Sequence, residues 1–264
     1  MPTYQQHIEQ AIRDWTADHP VWRHNDKISA RELAHSSEVR PPALLGGPSS
    51  LRNLPQPTTP AVLKPVHGCS ARGVHLLAPA HEGYRELLSG RYMTWEQVTS
   101  SALAAKHTAR NQALIKRGHP DATRPPWLLE ELILWDGEAA CDWKIFTFGH
   151  EPEVALQMKR GPGLIRVKWW SLNDWSDIGD ICPTRGWRYS PRLAPPSNPE
   201  AMAEAARKVA RQVPTPFVRV DLYEAQDGPV FGEITPTPTG GTSLFVPEWN
   251  ERLGRAWDAA LLRG

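Results

Sequence analysis

The feature that most constrains the fold is an alternating segment that predicts a β-hairpin. The runs FVRVDLYE (217–224) and PVFGEIT (229–235) are separated by the turn sequence AQDG. Side chains alternate across a strand, so Val218, Val220 and Leu222 form an apolar face that suits a core. The second face of the first strand carries Phe217, Arg219, Asp221 and Tyr223. On the returning strand, one face carries Phe231, Glu233 and Thr235, and the opposite face carries Val230 and Ile234. We therefore predict an antiparallel hairpin with one core face and one polar face.

The polar face of this hairpin brings two acids together. Asp221 and Glu233 would repel each other unless a positive group lies between them. Mg²⁺ suits such a pair, because it binds carboxylate oxygens and keeps positions open for substrate phosphates. Arg219 would project into the same space, where it could stabilise a developing anion. The alternative is a solvated sheet face with ordinary cross-strand ion pairs. The Pro-Gly-rich continuation GEITPTPTGG favours an anionic ligand.

Other segments have the periodicity of helices or strands. Helices are predicted at 5–17, at KISARELAHS after Asn25-Asp26, at 94–109 from a Thr-x-x-Gln capping box, at 200–213 and around 249–261. Strands are predicted at 61–66, 127–135 and 141–149, the last two separated by the turn signal Asp136-Gly137. Residues 41–60 predict a surface loop, and 150–198 show little periodicity. Helices combined with antiparallel hairpins predict the α+β class.

A lysine followed by a loop of small residues is a candidate for binding phosphate. Lys64 lies near the end of the AVLKPV strand, and the loop that follows this strand in the sequence contains two glycines and Ser70. The alternative is an edge-strand lysine before a surface turn. Glu130 and Glu131 interrupt the apolar run WLLEELILW, where a carboxylate is costly to bury unless it meets donors. An adenine amino group with a backbone N–H, or an ordinary arginine partner, would supply them.

Composition excludes several classes of protein. The 264 residues carry 30 Lys and Arg against 29 Asp and Glu, a balance that argues against nucleic-acid binding as the main task. No apolar run approaches the roughly 20 residues of a membrane span. The amino-terminal sequence has no features of an export signal. The 3 cysteines lack paired spacing and predict neither a disulfide framework nor a zinc site. We therefore expect a cytoplasmic protein of one or two domains.

Taken in order along the chain, several motifs resemble those of the ATP-grasp superfamily. They are NDKISARELA, VLKPVHGCSARGV, LLEELI, DWKIFTF, FVRVDLYE and FGEITPTPTGG. More narrowly, they resemble the TupA-like branch, which is associated with the biosynthesis of teichuronopeptide and other surface polymers. The resemblance implies an ATP-grasp fold, in which two α+β subdomains clasp ATP, with a shortened N-terminal region. The implied division is 1–60 as a helical and linker region, 61–132 as the small subdomain with a hinge at 129–133, and 133–264 as the large subdomain.

The same resemblance implies roles for individual residues. The implied ATP-binding set is Arg31, Lys64 and Ser70 on phosphates, Glu130 with the backbone near Glu131 and Leu132 on adenine, and Asp142 on ribose. Arg219 matches the arginine that faces the acyl phosphate and the tetrahedral intermediate, so Arg219 and Lys64 are the implied catalytic residues. Asp221 and Glu233 match the two magnesium carboxylates. Thr235 stands where many ATP-grasp ligases have a metal-binding asparagine, and its hydroxyl is a poorer ligand.

The activity that the resemblance implies is ATP-dependent ligation of a carboxylate to an amine through an acyl phosphate, with Mg²⁺ or Mn²⁺. The implied partners are small-molecule carboxylates and amines, such as amino acids, peptides or sugar acids, free or within a polymer. Two alternatives are a small-molecule kinase of the same superfamily and a non-catalytic module that binds carbohydrate or peptide. We expect the substrate near the Trp-rich segment that contains Trp169, Trp170, Trp175 and Trp187.

Overall fold

The computed structural model describes residues 1–16, 18–24, 26–67, 71, 73–104 and 126–263. These residues form two six-stranded sheets with helices packed against them, which confirms the predicted α+β class. The helices are α1 (Tyr4–Asp14), α2 (Lys27–Ser36), α3 (Trp95–Ala104), α4 (Pro199–Ala210) and α5 (Pro247–Arg263), with short 3₁₀ turns at Pro20–His24, Leu51–Asn53 and Pro238–Gly241. Among the described residues, no helix has both the length and the apolar character that crossing a membrane requires.

The first sheet is antiparallel and has the strand order β1-β6-β2-β3-β4-β5. Its strands are β1 (Leu44–Ser49), β2 (Ala61–Pro65), β3 (His75–Ala80), β4 (Gly83–Glu86), β5 (Tyr92–Met93) and β6 (Trp127–Glu131). Helix α3 packs Val98 and Ala102 into the core of this sheet. The capping box predicted for this helix is present, because the Thr94 N–H donates to the Gln97 side chain at 2.9 Å and the Gln97 N–H donates to the Thr94 hydroxyl at 3.3 Å. Residues 105–109 of the predicted helix lie outside the described residues.

The prediction of a loop over 41–60 is wrong at its centre, where β1 pairs with β6. The strand contains Gly46, Gly47 and Pro48, which in sequence favour a loop. It lies at the edge of the sheet, and an edge strand tolerates a proline because its outer backbone groups need no partner strand. The pairing is irregular, with register shifts on both sides of Gly46.

The second sheet has the strand order β12-β11-β10-β9-β13-β14. In the chain segment between β6 and the second sheet, β7 (Leu134–Trp135) and β8 (Glu138–Ala139) form a small hairpin. The strands of the second sheet are β9 (Asp142–Phe148), β10 (Glu151–Gly161), β11 (Leu164–Ser171), β12 (Trp187–Tyr189), β13 (Phe217–Ala225) and β14 (Gly228–Thr235). All neighbours are antiparallel except β11 and β12. The change of sheet falls between Glu131 and Asp142, while the division into 1–60, 61–132 and 133–264 stays a prediction.

Helices cover both faces of the second sheet. Helices α2 and α4 pack on the face that includes Val218 and Val220. Helices α1 and α5 pack on the other face, where Tyr4 lies among aromatic residues that include Phe146 and Phe217. Strand β10 is buried on both faces, as Val154 and Ala155 show. Apolar and polar residues therefore do not alternate along it, and this alternation is the pattern that marks a half-exposed strand in a sequence.

The two central tryptophans of the Trp-rich segment belong to the core. Trp169 and Trp170 are neighbours on β11 and therefore point to opposite faces of the sheet. They are 1% and 4% exposed and lie in two different core clusters. Both are therefore core residues, while the position of the substrate near this segment stays a prediction.

The predicted hairpin is confirmed, but one of its faces is assigned wrongly. A register shift follows the pair Asp221 and Glu233, so Phe231 lies in the core cluster that contains Val218 and Val220, and Val230 lies opposite Tyr223. Gly232 occupies the irregular position, where a Cβ atom would lie 3.0 Å from both the Asp221 carbonyl oxygen and a Tyr223 ring carbon. The extra residue reverses the alternation before Glu233.

Helix α2 depends on its N-cap. The Asp26 carboxylate accepts from the Ile28 and Ser29 N–H groups at 2.9 and 3.1 Å. We expect Asp26→Ala to lower the free energy of unfolding by about 1 kcal/mol, because these N–H groups lose their acceptor. Asp26→Asn keeps an oxygen acceptor and is expected to retain most of that stability. Chemical denaturation of both variants tests this, and equal losses would contradict the capping role.

Candidate active site

The candidate site lies on one face of the second sheet, where three neighbouring strands carry charged side chains. Asp221 on β13 lies opposite Glu233 on β14 and, on its other side, opposite Lys144 on β9. Arg219 lies two residues before Asp221 and opposite Thr235. The structure therefore brings together Arg219, Asp221, Glu233 and Thr235, while their chemical roles stay predictions.

Asp221 is held between two cations. Arg219 donates from Nε to Oδ1 at 2.6 Å and from Nη2 to Oδ2 at 2.7 Å, and the Lys144 ammonium also contacts Oδ2. Burial alone would raise the pKa of this carboxyl, which is 5% exposed. The charges of Arg219 and Lys144 outweigh burial and hold the pKa of Asp221 below its ordinary value. Asp221 is therefore an ionised carboxylate at neutral pH.

Arg219 links the two acids and the threonine. Its Nη2 donates to the Thr235 hydroxyl at 2.9 Å and lies 3.5 Å from Glu233 Oε1. Burial alone would lower the pKa of the guanidinium, but Asp221 and, more weakly, Glu233 raise it. Arg219 is therefore a permanent, well-oriented cation at the edge of the acidic pair.

The donor set fits a divalent cation such as Mg²⁺. Asp221 and Glu233 supply carboxylate oxygens, which Mg²⁺ prefers, and the Glu233 side chain is 42% exposed. The described part of the chain contains no group of three or more His, Cys, Asp or Glu residues that could hold a metal. A cation here would therefore take its other ligands from water or from substrate oxygens. The Thr235 hydroxyl already accepts a hydrogen bond from Arg219, so a direct metal contact would compete with that bond.

Lys144 is a site residue that sequence reasoning missed. Its ammonium contacts Asp221 and lies 3.9 Å from Asp142 Oδ2, and Asp142 in turn accepts from Arg160 Nε at 3.0 Å. Asp142 and Lys144 are two residues apart on β9 and therefore share the site face. The D-x-K spacing in DWKIF was the available signal. The predicted ribose contact of Asp142 stays a prediction.

Tyr223 lies on β13, on the same face as Arg219 and Asp221, and it is a second residue to which the sequence assigned no chemical role. Burial raises the pKa of its hydroxyl well above the ordinary value, and the carboxylates of Asp142, Glu233, Asp221 and Glu130 raise it further. The phenol is therefore neutral and can donate a hydrogen bond at neutral pH. Glu130 belongs to the first sheet and the other three acids to the second, so carboxylates of both sheets act on this hydroxyl.

The first sheet contributes a buried charged triad. Glu130 on β6 is 2% exposed and pairs with the Lys64 ammonium, which lies on the adjacent strand β2. Glu130 also accepts from Arg31 Nη1 at 2.8 Å. Arg31 is carried by α2, which packs on the second sheet. Glu130 therefore has the arginine partner considered above, and the triad joins the two halves of the structure. The predicted contacts of Lys64 and Arg31 with phosphate, and of Glu130 with adenine, stay predictions.

The residues that follow Glu130 form the link to the second sheet. The Glu131 and Leu132 N–H groups donate to the Ala43 and Pro60 carbonyls at 2.9 and 3.1 Å. Arg40 donates to Glu131 Oε1 at 2.7 Å and binds Asp227, in the β13–β14 turn, at 3.0 Å. The adenine contacts predicted for Glu131 and Leu132 stay predictions. Ser70, predicted to bind phosphate, lies outside the described residues.

Comparisons with known proteins show which family and which solved structures this chain is similar to. A family model described as TupA-like ATP-grasp matches residues 6–257. Among solved structures, the chain is similar to the D-Ala:D-Ser ligase VanG from Enterococcus faecalis, with 15% identity, a TM-score of 0.52 and coverage of 90% of this chain and 60% of that one. It is also similar to the D-alanine–D-alanine ligase from Helicobacter pylori, with 12% identity, a TM-score of 0.50 and coverage of 89% and 58%. These likenesses show an ATP-grasp fold, and the chain spans about three fifths of the length of these structures. A search of the curated proteins gives no match.

Proposed function

The chain belongs to the TupA-like ATP-grasp family, and we propose that it is an ATP-dependent ligase that joins a carboxylate to an amine. The observation that carries the proposal is the pair Asp221 and Glu233, opposite each other across β13 and β14 with Arg219 bridging them. The family supports an ATP-using enzyme, and the paired carboxylates support a metal that neutralises phosphate charge. We further propose that the substrates are amino acids, peptides or sugar acids and that the reaction takes place in the cytoplasm, where ATP is available.

The proposed reaction has two steps. The substrate carboxylate oxygen attacks the γ-phosphorus of ATP, an oxygen–phosphorus bond forms, and ADP leaves. The amine nitrogen then attacks the acyl carbon and loses a proton, and phosphate leaves with the electron pair of the broken carbon–oxygen bond. The products are amide, ADP and phosphate.

Residues of both sheets have roles in this reaction. Mg²⁺ bound by Asp221 and Glu233 would neutralise charge on the phosphates. The Lys64 ammonium has three N–H donors, so its pairing with Glu130 leaves donors that can orient phosphate oxygens. The Arg219 guanidinium, held in place by Asp221 and Thr235, would stabilise the negative oxygen that develops during amine attack.

Nucleotide binding tests the proposal first. We expect ATP with Mg²⁺ to raise Tm by several degrees at about 100 times its dissociation constant, since such binding adds about 2.7 kcal/mol to stability. ATP with excess chelator is the control and should stabilise less. The absence of any stabilisation by ATP with Mg²⁺ would contradict the proposal.

Product analysis then distinguishes ligation from phosphorylation. Amino acids and sugar acids are screened in pairs for ATP-dependent release of phosphate. Amide, ADP and phosphate together would support the ligase, whereas a phosphorylated acceptor without free phosphate would identify a kinase. The non-catalytic binding module is disfavoured, because Trp169 and Trp170 belong to the core.

A further inference from the structure

Both oxygens of Asp221 are occupied by protein cations. Arg219 donates to both oxygens, and the Lys144 ammonium adds a third contact on Oδ2. The Lys144 side chain is 11% exposed, so solvent screens this pair only weakly. A metal ion that uses an Asp221 oxygen must therefore displace a cation or approach it closely, and like charges in a poorly screened site repel strongly.

Of the two cations, Lys144 is the one that can leave. Arg219 is held by two bonds to Asp221 and a further bond to Thr235, in the planar geometry that suits a guanidinium. Lys144 holds Asp221 through one ammonium on a flexible four-carbon stem. Its next carboxylate, Asp142, lies 3.9 Å away and is already paired with Arg160.

The charges at the site decide when displacement is favourable. Six charged side chains form a row in which acids and cations alternate, so their charges cancel. In order they are Glu233, Arg219, Asp221, Lys144, Asp142 and Arg160. A divalent metal alone adds two positive charges and leaves the mostly buried Lys144 ammonium without its strongest counter-ion. Nucleotide phosphates that arrive with the metal supply the missing negative charge, both to the metal and to the displaced ammonium.

We propose that Lys144 is an internal counter-ion that competes with the metal for Asp221 and thereby makes metal binding depend on nucleotide. The inference rests on the proposed function, since it takes Asp221 as a metal ligand. Lys144 acts as a positioning residue: it keeps the acidic site neutral in the free protein and yields Asp221 when metal and phosphates enter together. Metal and nucleotide are then coupled positively, and by linkage each tightens the binding of the other.

Binding of Mn²⁺, with and without the non-hydrolysable analogue AMPPNP, tests the proposal. Electron paramagnetic resonance measures the concentration of free Mn²⁺, and calorimetry measures the affinity for AMPPNP. We expect Lys144→Met to bind Mn²⁺ alone about tenfold more tightly than the wild type, the size of one charge-assisted hydrogen bond. The extra affinity that AMPPNP confers on Mn²⁺ should shrink by a similar factor. Lys144→Arg keeps the competing charge and should behave as the wild type does.

Lys159→Met is the matched control. Lys159 lies on the neighbouring strand β10 but on the opposite face of the sheet, where it pairs with Glu138. This variant should leave the affinity for Mn²⁺ unchanged. If Lys144→Met does not fold, Lys144→Gln replaces it, since glutamine removes the charge but keeps a hydrogen-bond donor. Melting of the metal-free variants checks their folding.

The outcomes separate this inference from the proposed function. Unchanged or weaker binding of Mn²⁺ alone in the uncharged Lys144 variant overturns the counter-ion role. The same is true if Lys144→Arg tightens Mn²⁺ binding as much as Lys144→Met. A wild-type protein that binds neither AMPPNP nor Mn²⁺ under any condition overturns the proposed function as well.

Discussion

Replacing Glu233 with glutamine is expected to abolish magnesium-dependent use of ATP while leaving the fold nearly as stable as before. The substitution removes one of two carboxylates from the candidate metal pair. Turnover should fall by about 10²- to 10⁴-fold, which corresponds to the loss of several kcal/mol of metal stabilisation. The Glu233 side chain is 42% exposed and its contact with Arg219 is 3.5 Å long, so its loss should cost little stability. Calorimetry with AMPPNP should show that added Mg²⁺ no longer tightens binding.

Two further variants test whether the effect is specific to the candidate metal pair. Glu96→Gln makes the same change at an exposed position on α3 and should leave nucleotide binding unchanged. Asp221→Asn should abolish the magnesium effect as well, but it should also lower Tm, because Arg219 and Lys144 would lose their shared counter-ion. A Glu233→Gln protein with wild-type dependence on Mg²⁺ would exclude Glu233 as a metal ligand.

Replacing Glu130 with glutamine is expected to be the most destabilising conservative change near the site. Glu130 is 2% exposed, and its carboxylate is the counter-ion of both Lys64 and Arg31. Removing one member of a buried ionic group costs about 3–5 kcal/mol, because the charges left behind remain desolvated. In a chain of this size, Tm should fall by roughly 10 °C. The measurement is thermal or chemical unfolding without nucleotide.

The neighbouring residue supplies a matched control. Glu131→Gln breaks the ion pair with Arg40. The side chains of this pair are 41% exposed at Arg40 and 33% exposed at Glu131. Such exposed pairs contribute about 0–1 kcal/mol, so Glu131→Gln should be much less destabilising. Combining Glu130→Gln with Lys64→Met should cost less than the sum of the two single changes, because the double variant leaves fewer unpaired charges. Equal Tm values for the two single glutamine variants would show that the triad adds no stability to the free protein.

The elements that could be predicted from sequence are those marked by a local pattern, either a regular alternation of apolar and polar side chains or a helix cap. The hairpin of β13 and β14 was found because apolar and polar residues alternate along Phe217–Ala225. Helix α3 was found from its capping box, which depends only on residues close in sequence. Strand β10 was missed because neighbouring residues such as Val154 and Ala155 are both buried. Strand β1 was missed because Gly-Pro sequences favour loops unless an edge position accommodates them.

The candidate site was partly predictable for the same reason. Arg219 and Asp221 share a face by the spacing of two alone, whatever the rest of the chain does. Glu233 reached the predicted face despite the bulge at Gly232, whereas Phe231 did not. Lys144 could not be assigned to Asp221 from sequence, because the two lie 77 residues apart and meet only through the register of β9 with β13.

The amino-acid sequence was sufficient to predict the hairpin, most helices, the paired acids and the family resemblance. These depend on periodicity and on neighbours within a few residues, which a linear pattern records directly. The tertiary structure decided which charges neutralise which. It placed Lys144 on Asp221, and both Lys64 and Arg31 on Glu130. Such pairings follow from strand register and from helix α2 packing across the two halves. They arise because a buried charge must find a counter-ion wherever the fold brings one close.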